Sequence, residues 1–359
     1  MTLTIWQKYF LKQTLKTFLL FLFCFYGLYV LVDLSAHASS YHQHIHFRLG
    51  ETLLYYASEF LKRAEVLVPF GLLLATIKTL CGLNINNELV ALLASGYSLK
   101  TLLRPFIYLS LAFVSLLYVN TEFLQPHALQ IIKRIDDRHH SQKVKVRDVP
   151  AVQHIALEDE STLLFQKYDA ARQVFFDTYW IKNQGDIYRI KYLHPYTEYP
   201  VGQFVDHFTR NAEGRLVQKT SAVIRIFPEI KFNNAALMDT ITPTKDLSIS
   251  DLHKKFPEHT SIANEKHAQI MSYFYYKMAM PWLCLLAVIG PAPFCIRFTR
   301  QLPVFFIYAF SIFGLVGCYL VLDAALILGE RQAVPPLLAI GAPLTLFFAI
   351  FGLKYVRLS

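Results

Sequence analysis

Apolar residues gather into six long runs, three toward each end of the chain, and the stretch between them is polar with a different period. A bilayer core about 30 Å thick takes roughly 20 apolar residues in a helix. Residues 15–34, 66–83, 102–118, 273–296, 304–328 and 334–353 supply such runs, in full or nearly so. From about Val152 the apolar period drops from 3.6 to 2. VQHIALED, STLLFQKYD, QVFFDTYWIK, DIYRIKYL, QFVDHF and SAVIRIF read as short strands, split by turn signals at 183–186 (NQGD) and 211–214 (NAEG). Strands so spaced predict an antiparallel sandwich or open barrel. Residues 122–143 and 247–271 read as helical stems. The expected fold is an α-helical membrane protein of six transmembrane helices, three and three, with an inserted all-β domain. Its parts are residues 1–122 (with a short helix at about 84–98), 123–270 and 271–359.

Composition agrees. The 359 residues are 54% hydrophobic and 17% charged, against about 25% charged in soluble domains. Cys24, Cys81, Cys284, Cys295 and Cys318 lie in or beside apolar runs with no CxxC pair, so they read as small packed hydrophobes. The first run is too long for a cleaved signal peptide.

The net charge of +9 is mostly a topology signal. One set of span ends carries Lys8, Lys12, Lys16, Lys78, Lys100, Arg104, Arg297, Arg300, Lys354 and Arg357 against Glu88 alone. The opposite ends mix cations with Asp33, Glu51, Glu59, Glu65, Glu122, Asp323 and Glu330. The positive-inside rule puts both termini in the cytoplasm and the polar middle outside.

Chemistry is sparse. There is no P-loop, HExxH or GxSxG pattern, so no catalytic residue, metal site or cofactor is expected in this chain. His42, His44 and His46 alternate; on a strand they would share a face, but an interfacial loop is the preferred reading. Asp323 reads as an interfacial acid in preference to one lining a polar cavity.

The most informative segment is NINNELVALLASGYSLKTL, residues 84–102. Asn87 is placed to cap a helix, and Glu88 suits its first turn. Leu89, Leu92 and Leu93 form an apolar stripe, and Ala94-Ser95-Gly96 ends it. A helix lying on anionic lipid favours Lys or Arg on its polar face; this one offers Asn and Glu, which favours docking into a partner's groove.

The run LVPFGLLL at 67–74, Asn87-Glu88-Leu89, Ala94-Ser95-Gly96-Tyr97-Ser98 and Pro105 together resemble the LptF/LptG permeases, which form the membrane part of the ABC transporter that extracts lipopolysaccharide from the inner membrane of Gram-negative bacteria. Residues 246–253 (DLSISDLH) and 334–338 (VPPLL) are more similar to LptG. The resemblance implies a β-jellyroll in the periplasm and an inner-membrane location. Asn87, Glu88, Leu89, Leu92, Leu93, Ala94, Ser95 and Gly96 would form the coupling helix of a cytoplasmic LptB-type ATPase dimer, the site of ATP hydrolysis. Further implied partners are a paralogous LptF-type permease, an LptC-type membrane-anchored jellyroll protein and lipopolysaccharide itself. Spans one, two and five would line the lipid cavity, with Phe21, Phe25, Leu28, Val32, Phe306, Phe310 and Phe313 as candidate wall residues. One departure stands out. The outer end of span one, Tyr29-Val30-Leu31-Val32-Asp33-Leu34, lacks the Lys or Arg expected to meet lipid A phosphates, and the nearest cations in sequence are histidines and Arg48.

Rival readings are a permease for another envelope lipid or for lipoproteins, and a stand-alone secondary transporter. Lipoprotein-releasing permeases carry their outer domain after the first span, whereas here it follows the third. A secondary transporter usually shows midplane charges and repeated halves, which this chain lacks.

Overall fold

Among the described residues, six helices are long and apolar enough to cross a membrane: Ile5–Ala36, Gly50–Ile85, Leu99–Ile132, His267–Cys295, Val304–Glu330 and Pro336–Val356. They belong to a computed structural model that describes all residues except 1–3, 45–48, 141–152, 158–160, 170–173, 184–185, 196–198, 212–214, 231–243, 257–264, 297–302 and 358–359. The chain forms two compact units, residues 1–132 with 244–359, and residues 133–243. These bounds lie inward of the expected 123–270. The reason is local: Gln125 to Ile132 prolong span three, and 244–256 is tied by hydrogen bonds to spans three and four.

In the membrane unit, α1 (Ile5–His44) and α2 (Leu49–Ile85) run well past their apolar cores. At 1.5 Å per residue α1 is about 60 Å long. It stays helical through His44, so His42 and His44 do not alternate on one face of a strand or sit in a loop; His46 lies outside the described residues. The short α3 (Glu88–Ala94) leads into α4 (Leu99–Val119), whose N-terminal amide at Thr101 is capped by the Ser98 hydroxyl. A π-helical turn, Asn120–Leu124, passes α4 on to α5 (Gln125–His140). After the β unit come α6 (Ile249–Lys254) and α7 (Glu265–Ala279). Span four is not one helix: Pro281 and Gly290-Pro291 break it into α7, a 3-10 turn Met280–Trp282, α8 (Leu283–Ile289) and α9 (Ala292–Cys295), because proline cannot supply the helix amide. α10 (Val304–Glu330) and α11 (Pro336–Val356) complete the unit.

α2 is the hub. Leu72, Leu73, Ile77, Leu80 and Leu83 are buried with Leu102, Leu103 and Phe106 of α4 and Leu283, Cys284 and Ala287 of α8. A Cβ at Gly71 would stand 3.1 Å from the Phe18 ring, so glycine lets α1 close on α2 here. In contrast, only 6% of the apolar window of α1, 22% of that of α10 and 11% of that of α11 is buried.

The second unit is one antiparallel sheet in meander order: β1 (Gln153–Ala156), β2 (Thr162–Asp169), β3 (Val174–Asn183), β4 (Asp186–His194), β5 (Val201–Arg210) and β6 (Leu216–Ile226). All six expected strands are present. Among the described residues each strand pairs with its sequence neighbour, without the crossovers of a jellyroll. Leu163, Phe165, Phe175, Trp180, Ile190 and Val205 fill one face, and the buried Trp180 indole donates to Ser161 Oγ at 2.9 Å. Asp177 and Phe204 take positive φ of 49° and 52°. The pairing places both on one transverse row, with Lys191 between them. The inward positions switch there from Phe175 to Thr178 and from Gly202 to Val205, which creases the sheet. Arg189 Nε holds the Asp177 carboxylate at 3.1 Å, and that ion pair raises the guanidinium pKa further.

Candidate functional site: a short connecting helix and two uncovered aromatic stripes

A helix of seven residues has no stability of its own, so α3 depends on its ends and on one anchor. Its start is held by the backbone. Asn87 sits at the cap position with φ 60°, yet its side chain makes no capping bond; instead the Ala91 amide donates to the Asn87 carbonyl. Just upstream, Asn84 Nδ2 donates to the Cys295 carbonyl at 2.8 Å, pinning the end of α2 to span four. The far end closes as a Schellman motif: the Gly96 amide donates to Leu93 O, the Tyr97 amide to Leu92 O, and Gly96 has φ +92°. Tyr97 then meets Trp6 of α1 edge to face at 5.4 Å.

These constraints split α3 into two faces. Leu89, only 1% exposed, belongs to the bundle core, and Leu92 and Leu93 pack partly against it. The apolar stripe therefore points into this chain. The outward face consists of Val90, Ala91, Ala94, Ser95 and Gly96, with Asn87 exposed and Glu88 half-buried. It is small, nearly uncharged and smooth. Of the residues singled out in sequence, Asn87, Glu88, Ala94, Ser95 and Gly96 are open to a partner, while Leu89, Leu92 and Leu93 hold the helix in place.

The second feature is a pair of stripes. Phe21, Phe25, Leu28 and Val32 recur at intervals of four, three and four along α1, so they share a face; the last three are exposed, and Phe21 stacks on Phe25 at 6.2 Å. Phe306, Phe310 and Phe313 do the same on α10, and Phe313 is 76% exposed. Both helices lean on α2: α1 through Phe18, seven residues before Phe25 and so at the margin of its stripe, against Gly71, and α10 from its far side through Tyr319, whose ring stacks on Phe70 at 5.6 Å. α2 itself is mostly enclosed, with 72% of its window buried.

At the end of the bundle opposite α3, α2 supplies cations that sequence inspection of α1 alone missed. Arg63 Nη2 donates to Tyr29 Oη at 3.0 Å and its guanidinium lies 4.2 Å from the Tyr29 ring. Lys62 and Arg63 both grip the buried Glu59 at 3.0 Å, while remaining about half exposed. Asp33 accepts from Tyr56 Oη at 3.0 Å. The signal was present as Glu59 with basic residues three and four positions later, a helical ion-pair spacing, but its proximity to Tyr29 is a tertiary fact. Asp323, exposed near the same end, accepts from Tyr276 Oη at 2.5 Å.

Residues 8–357 match the family model described as lipopolysaccharide export system permease LptF/LptG. No curated protein matches the chain. The family model does not separate the two paralogues. With a match over nearly the whole chain, six apolar helices and a β unit inserted between the third and fourth, this multi-pass inner-membrane protein belongs to the LptF/LptG family of lipopolysaccharide export permeases.

Proposed function

We propose that this chain is one permease subunit of an ABC transporter that lifts lipopolysaccharide out of the inner membrane and passes it to a periplasmic bridge toward the outer membrane. The observation that carries the reading is the two-faced α3, a helix locked inward by Leu89 with a smooth outward surface. Such a helix transmits a push from a cytoplasmic LptB-type ATPase dimer into α2 and α4, to which it is joined directly. In this reading no cofactor is held by this chain and ATP hydrolysis belongs to the partner. The excess of Lys and Arg at the α3 end supports cytoplasmic termini and a periplasmic β unit.

The exposed stripes support sideways uptake. Each buried CH₂ is worth roughly 0.8 kcal/mol, so a multi-acyl lipid leaves the bilayer only along a continuous apolar surface. Phe25, Leu28 and Val32 on α1 and Phe306, Phe310 and Phe313 on α10 provide it, facing an LptF-type paralogue across the cavity. Lys62 and Arg63 stand where phosphates would arrive, replacing the cations that α1 lacks. Among the described residues of the β unit, β6 is a sheet edge with both faces exposed, which suits strand addition by an LptC-type jellyroll or the bridge.

The test is reconstitution of the chain with a paralogous permease and the ATPase in lipopolysaccharide-containing vesicles. ATP-dependent release of lipopolysaccharide to a soluble acceptor is expected. Lipid movement by this chain alone, without the ATPase, overturns the reading.

A further inference from the structure

A second apolar site lies on the other flank of α10. Leu286, Gly290 and Phe294 of span four, Gly314 and Cys318 of α10 and Phe351 of α11 border a crevice of about 390 Å³, counting its open mouth. Its lining side chains are hydrocarbon or thiol apart from the Ser311 hydroxyl. At roughly 100° per residue, Gly314 and Cys318 centre about 100° around the helix from the Phe306–Phe313 stripe; Phe310 borders both. From Phe310 to Cys318 the crevice follows the helix axis for about 12 Å.

Small residues make this space. A Cβ on Gly290 would approach the Leu286 carbonyl at 2.9 Å, whereas one on Gly314 would meet nothing within 4 Å. Backbone geometry thus accounts for glycine at 290, while at 314 glycine simply leaves the crevice open. At the mouth, the Lys354 ammonium lies 5.2 Å from the centre of the Phe294 ring. Lys354 and Arg357 are exposed one helical turn apart, and Arg104 acts electrostatically on Tyr355 between them.

We propose that this crevice binds one anionic phospholipid, with an acyl chain laid between span four and α10 against Phe351 of α11 and its headgroup phosphate held by Lys354 and Arg357. The crevice runs along α10 for about two helical turns, as an acyl chain lying beside the helix would. A void of this kind in a close-packed bundle forfeits dispersion contacts unless hydrocarbon fills it. The cations select charge: a basic residue at a membrane surface is worth about 1 kcal/mol toward anionic lipid, close to fivefold each. A lipid seated here braces α10 from behind its exposed stripe. The assignment needs only that the chain lies in a bilayer, so it stands apart from the transport reading.

The experiment equilibrates the full-length chain in nanodiscs of equal phosphatidylglycerol and phosphatidylcholine, then reads retained lipid by native mass spectrometry. Wild type is expected to keep one phosphatidylglycerol, at least fivefold over phosphatidylcholine. Gly314→Leu, which grows into the crevice, is expected to lose both lipids. Lys354→Ala with Arg357→Ala, at exposed positions that leave the fold intact, is expected to bring the two lipids to parity. Equal retention of both lipids by wild type overturns the proposal, as does undiminished phosphatidylglycerol selectivity in the double variant, whatever the fate of Gly314→Leu.

Discussion

Leu89→Ala and Ala91→Asp should fail in opposite ways, although they lie two residues apart on α3. Leu89 is 1% exposed, inside the bundle core. Truncating such a leucine costs about 2–5 kcal/mol. A seven-residue helix has little local stability to fall back on, and its remaining ties are the partial packing of Leu92 and Leu93, the Schellman closure at Gly96 and the backbone bond at Asn87. The loss falls on the docking of α3 to α2, and the thermal midpoint of the purified chain should drop with it. Ala91 is exposed, and Asp there costs the chain no more than about 1 kcal/mol through helix propensity. A carboxylate placed on the smooth outward face should nevertheless weaken ATPase association by tenfold or more, a change of about 1.4 kcal/mol. The assay pairs thermal unfolding in detergent with co-purification of the ATPase and lipid-stimulated hydrolysis. If Ala91→Asp retains the ATPase at the wild-type level while Leu89→Ala leaves stability untouched, the inward and outward assignments are reversed and the coupling argument fails.

Gly96→Val forces a β-branched residue to φ +92° and should cost about 1–2 kcal/mol or more, read as lost ATPase coupling with the β unit unaffected. Gly202→Val should destabilise the sheet by about 1–3 kcal/mol, because a Cβ there meets Phe227 at 2.8 Å and Ile190 at 2.9 Å; limited proteolysis within 133–243 checks it. Arg63→Ala should reduce lipopolysaccharide photo-crosslinking at Phe25 severalfold while leaving assembly intact, and unchanged capture would remove α2 from the phosphate site. Lys277→Met removes a buried cation from a buried polar cluster and should cost about 3–5 kcal/mol, seen as a lowered thermal midpoint.

The six spans and six strands were legible because each burial pattern is local: long apolar runs for helices in lipid, alternation for a half-buried sheet. The breaks were less so. Span four reads as one apolar run, yet Pro281 and Pro291 cut it, and the outcome depended on whether packing would bend the helix or divide it. At Asp177 and Phe204 strand propensity gives no warning of a left-handed turn; only the pairing of three strands on one row shows why the sheet creases there. In α3 the apolar stripe was visible, but a stripe does not say whether it faces the chain's own core or a partner. Leu89 answers by its burial in the core that also holds Leu83 and Leu102, a placement that no spacing rule supplies. Lys62 and Arg63 were hidden for the same reason, since their relevance arises from Tyr29, more than thirty positions away.

The polar groups that do enter the bundle are concentrated where the chain leaves for the β unit and returns from it. Thr121, in the π-helical turn, donates to Glu65 of α2 at 3.3 Å. Its neighbour Glu122 accepts the Ser250 amide at the start of α6. Buried Lys277 donates to the Leu247 carbonyl at 2.6 Å and interacts electrostatically with Glu65. Tyr319 of α10 completes the set by donating to the Glu65 carbonyl at 2.9 Å. Each of these is a costly group to place in a membrane protein unless it is satisfied, and here each satisfies a different segment: two flank the β unit in sequence, and the others are α2, α7 and α10. A shift of α10 against α2 breaks the Tyr319 bond at Glu65, the residue whose side chain also holds Thr121. In a bundle held largely by non-directional apolar contacts, these directional bonds help specify the relative position of the spans, as Asn84 does at the α3 end, and most of them lie on the two segments of chain that lead to the β unit.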